Sequence, residues 1–96
     1  MSAESPPGAR ATLEIRNRLG LHARAAAALV QTAGRFDAEV TVAKDGQVVN
    51  GRSIMGVMML AAEQGSTIEV VTNGPQAAAA LEALRQLVEA RFNEPE

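Results

Sequence analysis

A single histidine, His22, lies in the stretch RLGLHARAAAALV (18–30), with Arg16, Arg18 and Arg24 beside it. Neutral imidazole is a nucleophile, and a guanidinium grips phosphate oxygens through parallel hydrogen bonds. A helical pattern starts immediately after His22, so the ring stands at a helix mouth. There the first backbone N–H groups lack internal partners and the helix dipole is positive, which makes a ready place for phosphate. The plainer reading is that His22 only caps the helix and that the arginines are solvated surface. No carboxylate lies near in sequence to orient the ring as a general base, and sequence spacing does not reveal partners from elsewhere in a fold.

A second segment, SIMGVMMLAA (53–62), carries no charge and is apolar on every side. Such a helix is normally buried, yet a chain of 96 residues is too small to enclose one completely. Ile54, Val57, Met58 and Ala61 form one stripe, with Met55 and Met59 off it. One face is expected to pack on a sheet and the other to show methionines, an adaptable surface suited to docking. Ser53 stands at the N-cap position of this helix, and Arg52 beside it adds positive charge.

The elements that must position these residues follow from periodicity. ATLEIRN (11–17) alternates with Leu13 and Ile15 on one side, which predicts a half-buried strand. AEVTVAK (38–44) alternates likewise, Asp45-Gly46 is a tight-hairpin signal, and QVVNG (47–51) is the return strand. STIEVVT (66–72) is a fourth strand. Helices are expected from about Ala23 to Ala33, stopped by Gly34; from about Ile54 to Glu63, stopped by Gly65; and from Pro75, a first-turn residue, to about Arg91. The last carries Leu81, Leu84, Val88 and Phe92 on one stripe. The order is β-α-β-β-α-β-α. Strands with one apolar and one polar face predict an antiparallel sheet open to water on one side and covered by helices on the other, an α+β two-layer domain.

Composition narrows the chemistry. One domain is the natural reading of this length, with a tail at 1–10, the domain at 11–92 and a short tail at 93–96. No cysteine is present, so disulfides and thiol chemistry are excluded, and one histidine without cysteine lacks the ligand set of a structural zinc site. No metal or cofactor is expected. A net charge of -2 speaks against broad nucleic-acid binding. MSAESPPGAR lacks the basic head and apolar core of a signal peptide, and no apolar run is long enough to cross a membrane. The expectation is a cytoplasmic protein.

GLHARAAAALV and VNGRSIMGVMMLAA together resemble the active-site and regulatory motifs of HPr, the histidine-containing phosphocarrier family of the bacterial phosphoenolpyruvate:sugar phosphotransferase system. The resemblance spans about Ala11 to Phe92, and the pair of motifs at this spacing is specific. It implies an open-faced β-sandwich and a stoichiometric carrier that is not itself an enzyme. It also implies that His22 accepts phosphate from phosphorylated enzyme I on Nδ1 and passes it to an enzyme IIA domain. Arg24 matches the phosphate-assisting arginine, with the backbone of Ala23 and Arg24 contacting the phosphate. Ser53 matches the serine modified by HPr kinase/phosphorylase. Arg24, Ala27, Gln31, Ile54, Met55 and Met58 align with the partner-docking surface. The SIMGVMMLAA form is similar to Gram-negative members, including a nitrogen-related regulatory branch. A monomer is expected.

Four positions depart from the family pattern. Ala25 replaces the proline that usually follows the arginine, Ala27 replaces a common threonine, and Gln31 and Gly34 stand where many members have lysine. Alanine at 25 should keep the helix and loosen the loop before it. A second reading is a regulatory binder that works through Ser53 and the Met55/Met58 patch without phosphoryl transfer, but a binder needs neither His22 nor Arg24. A third, a small nucleic-acid-binding domain, would need a basic stripe and stacking aromatics, and the chain has two Phe, no Tyr and no Trp.

Overall fold

A computed structural model describes residues 8–94. Four strands form one antiparallel sheet: β1 (Gly8–Glu14), β2 (Glu39–Lys44), β3 (Gln47–Asn50) and β4 (Thr67–Asn73), in the order β1-β4-β2-β3. Three helices, α1 (Ala23–Ala33), α2 (Ile54–Met59) and α3 (Ala77–Glu89), cover one face. This is the expected open-faced α+β sandwich. Alternation decides which side is covered: Leu13, Val40, Val42, Ile68 and Val70 are buried under the helices, while Thr12, Glu14, Glu39 and Val48 face outward. Asp45 and Gly46 both take positive φ, 51° and 85°, the backbone that a two-residue hairpin needs.

Several boundaries differ from the sequence expectation, each for a tertiary reason. β1 begins at Gly8, so residues 8–10 of the expected tail pair with β4 (Gly8↔Asn73); the rest of that tail lies outside the described residues. Ile15–Asn17 leave the strand early, yet Ile15 still bonds through its backbone to Ser66 and Gly65. α3 starts at Ala77 and not at Pro75, because Gln76 is held out of helix (φ -112°, ψ 30°) with its backbone and side chain bonded to Asp37.

The largest correction concerns α2, which ends at Met59 and not at Glu63. Ala61 turns to φ 51° and so directs the carbonyl of Ala62 at the Leu21 N–H, 2.9 Å away. Gly20 is pressed against the same carbonyl: a Cβ there would lie 2.3 Å from it, at φ +67°. The short helix is thus trimmed to let the loop before His22 dock. Its one buried residue is Val57, followed by the buried C-cap Leu60, so the expected Ile54–Val57–Met58–Ala61 stripe is not the packed face. Ile54, Met55, Met58 and Met59 are all exposed, Met55 at 69% and Met59 at 65%.

Beyond α3 the chain does not continue as helix to Arg91. Arg91, Phe92 and Asn93 take φ of 56°, 55° and 60°, a single left-handed turn. Its centre, Phe92, is buried in the core. The expected apolar stripe therefore reaches its last member by a reversal of the chain.

Candidate functional site

α1 owes its start to His22. The residue is extended (φ -73°, ψ -179°), its carbonyl accepts from Ala26 N–H at 2.8 Å, and its ring nitrogen Nδ1 accepts from Arg24 N–H at 3.3 Å. His22 is therefore an N-cap, as the plainer reading has it, although N-caps are normally Ser, Thr, Asp or Asn. The ring is only partly covered: its side chain keeps 28% exposure.

The other ring nitrogen has the partner that sequence spacing could not supply. Nε2 lies 2.6 Å from Oε2 of Glu94, carried to the ring by the left-handed turn after α3. The expected tail at 93–96 thus contributes a carboxylate to the site through Glu94. That side chain is 6% exposed. Burial is the largest single influence on its carboxyl and pushes the pKa up. Hydrogen bonds from His22 and Asn17, with electrostatic attraction from His22 and Arg24, outweigh it and hold Glu94 below the ordinary glutamate value.

The two contacts fix the tautomer. An ionised carboxylate only accepts, so Nε2 carries the hydrogen. Nδ1 faces a backbone N–H, so it carries the lone pair. The ring nitrogen with the lone pair therefore points at the first turn of α1, where it accepts from Arg24 N–H. A proton on Nε2 faces the carboxylate that would balance positive charge developing on the ring. Arg24 is exposed at the same end.

Ala27 and Gln31 continue the outer side of α1, half-buried and exposed respectively, whereas Ala25 is buried. Ser53 caps α2, its Oγ accepting from Gly56 N–H at 3.0 Å. Arg52 is tied down: its Nη2 donates to the carbonyls of Phe36 (2.8 Å) and Ala38 (2.9 Å), so the positive charge beside Ser53 is engaged with backbone. Among the described residues no cluster of His, Cys, Asp or Glu could hold a metal ion, and no helix is long and apolar enough to cross a membrane.

A family model described as "PTS HPr component phosphorylation site" matches residues 9–90. The chain belongs to the HPr family. Phosphocarrier protein HPr of Xylella fastidiosa is 51% identical over 82 residues, 85% of this chain and 92% of that protein. Phosphocarrier protein HPr of Neisseria meningitidis serogroup A is 51% identical over 85 residues, 88% and 96% of the two chains. The crystal structure of HPr from Thermoanaerobacter tengcongensis superposes with a TM-score of 0.88 at 42% identity, covering 92% of this chain and 99% of that one. Membership in HPr makes the chain a phosphocarrier of the phosphotransferase system and not a catalyst.

Proposed function

We propose that this HPr-family chain accepts a phosphoryl group from phosphorylated enzyme I on Nδ1 of His22 and passes it to an enzyme IIA domain, acting in the cytoplasm as a monomer. The observation that carries the reading is the pair of contacts on the ring. Glu94 holds the Nε2 proton, which leaves the Nδ1 lone pair at the amino end of an eleven-residue helix. In acceptance, the Nδ1 pair attacks phosphorus and the bond from phosphorus to the donor's leaving atom breaks, that atom keeping its electrons. The ring becomes cationic, and Glu94 offsets the charge through Nε2–H. The backbone N–H groups of Ala23 and Arg24 and the Arg24 guanidinium face the phosphoryl oxygens. Onward transfer is the reverse step with a new acceptor.

Docking in this reading uses Arg24, Ala27 and Gln31 on α1 with Ile54, Met55 and Met58 on α2, an apolar patch beside the nucleophile. Phosphorylation of Ser53 by a kinase of the HPr kinase/phosphorylase type would regulate it by placing a dianion next to that patch. The regulatory-binder alternative is not favoured, because it leaves the oriented ring without a purpose. The test is to mix the protein with phosphoenolpyruvate and enzyme I and assay for an acid-labile, base-stable phosphoryl group. Label on the wild type and none on His22→Ala, with its circular dichroism unchanged, is the expected result. Equal labelling of both overturns the reading.

A further inference from the structure

Asn17 is fully buried, at 0% exposure. Its Nδ2 donates to the Gly20 carbonyl at 2.8 Å and to Glu94 Oε1 at 3.1 Å. Its own Oδ1 is buried with no partner among the described residues. The amide cannot be turned round to cure this, because Oδ1 would then face two acceptors. An unsatisfied buried oxygen is costly to a fold, and a leucine-sized apolar side chain would avoid the cost. The same corner holds a second expense, the three consecutive left-handed residues Arg91–Asn93. Such backbone persists only where its surroundings over-determine it. Phe92 fixes the middle of that turn in the core, and Asn17 and His22 grip the two oxygens of the carboxylate that follows it. Asn17 also accepts Gly20 N–H on its backbone carbonyl at 3.2 Å, so one residue ties the loop entering His22 to the carboxylate behind it.

We propose that Asn17 is a positioning residue for the phosphoryl-accepting histidine: it holds Glu94 against Nε2 of His22 and thereby keeps Nδ1 unprotonated. The proposal rests on the phosphocarrier reading for its purpose, but the arrangement has a signature of its own. Imidazole ¹⁵N shifts report the tautomer without any phosphoryl donor.

In the wild type the neutral ring is expected almost wholly as the Nε2–H form. Asn17→Ala should bring the Nδ1–H form up to a readily measured share, and should slow phosphoryl acceptance by about the same factor as Glu94→Ala. The double variant should be no worse than Glu94→Ala alone, because Asn17 acts only through Glu94. Asn17→Asp, which keeps the shape but sets a second carboxylate against Glu94, should shift the tautomer further. Should the Asn17 variants not fold, the wild-type Asn17 side-chain amide signals are compared with those of Glu94→Ala; a large shift supports the link and no shift overturns it. An unchanged tautomer in folded Asn17→Ala, or full additivity with Glu94→Ala, reduces Asn17 to a loop staple. A shifted tautomer in a protein that accepts no phosphate in any variant keeps the positioning role and removes the carrier reading.

Discussion

Glu94 Oε2 lies 2.6 Å from His22 Nε2 across 72 positions of sequence. The contact joins the residue after the left-handed turn to the residue that opens α1, and it determines which ring nitrogen carries the hydrogen and which the lone pair.

Removing the charge from that contact should affect both rate and stability. Glu94→Gln is expected to slow acceptance on the order of tenfold to a hundredfold, by analogy with the loss of a carboxylate that orients a metal-ligating histidine. The carboxyl of Glu94 is held below its ordinary value in the folded chain. Its contribution to stability is therefore fully present above the unfolded glutamate value of about 4.3, and is lost as pH falls through the lower folded value. Urea unfolding of wild type and Glu94→Gln should show a gap above about pH 4.3 that closes in acid. A gap that widens in acid contradicts the assignment.

Arg24→Ala should slow transfer without ending it. The backbone N–H groups at the amino end of α1 stay in place when the side chain goes, so only the guanidinium's share is lost. Rapid-quench rates of phosphoryl acceptance decide this; a complete block would mean that the arginine, and not the helix end, carries the oxygens.

The methionines of α2 give a spatial test. Met55 and Met58 are 69% and 37% exposed on one side of the molecule, and Val48 is 63% exposed on the open face of the sheet. Met55→Glu or Met58→Glu should weaken binding to enzyme I by about 2 kcal/mol or more if the residue is central to the interface. Val48→Glu should leave it unchanged. Titration by NMR reads all three, and the reverse ranking would move the docking surface to the sheet.

Ser53 separates cap from regulator. Ser53→Ala removes the acceptor for Gly56 N–H and should cost about 1 kcal/mol with normal transfer. Ser53→Asp keeps a good cap, so its melting temperature should hold, yet a charge beside Ile54, Met55 and Met58 must be desolvated for docking. Its acceptance rate should fall well below wild type. Wild-type speed in Ser53→Asp would leave Ser53 as a cap alone.

Much of this was legible in local pattern. α1 runs from Ala23 to Ala33, where the alanine-rich periodicity and Gly34 place it, and Asp45-Gly46 makes the hairpin. Alternation also finds the buried face of β1, β2 and β4. What failed was decided by distant partners. The apolar run after Ser53 reads as helix to Glu63, but the Leu21 N–H claims the Ala62 carbonyl and the helix stops. Glu94 reads as tail because nothing near it shows a role. The available signal was Phe92, an aromatic too apolar for a loose end, which had to be buried and would carry its neighbours inward. Asn17 gave no signal at all, since a polar residue at a strand's end is ordinary.

The sheet order has a consequence for how the protein is made. β1 can pair only with β4, Gly8 opposite Asn73, and Asn17 waits for Glu94. Synthesis delivers His22 early and its orienting carboxylate late. A nascent chain therefore displays the imidazole long before the ring has a settled proton, and long-range pairing of this kind closes slowly. In the proposed carrier, competence to receive phosphate then requires the chain to be folded through Glu94, so a chain cut before that residue should be a poor competitor for the phosphoryl group.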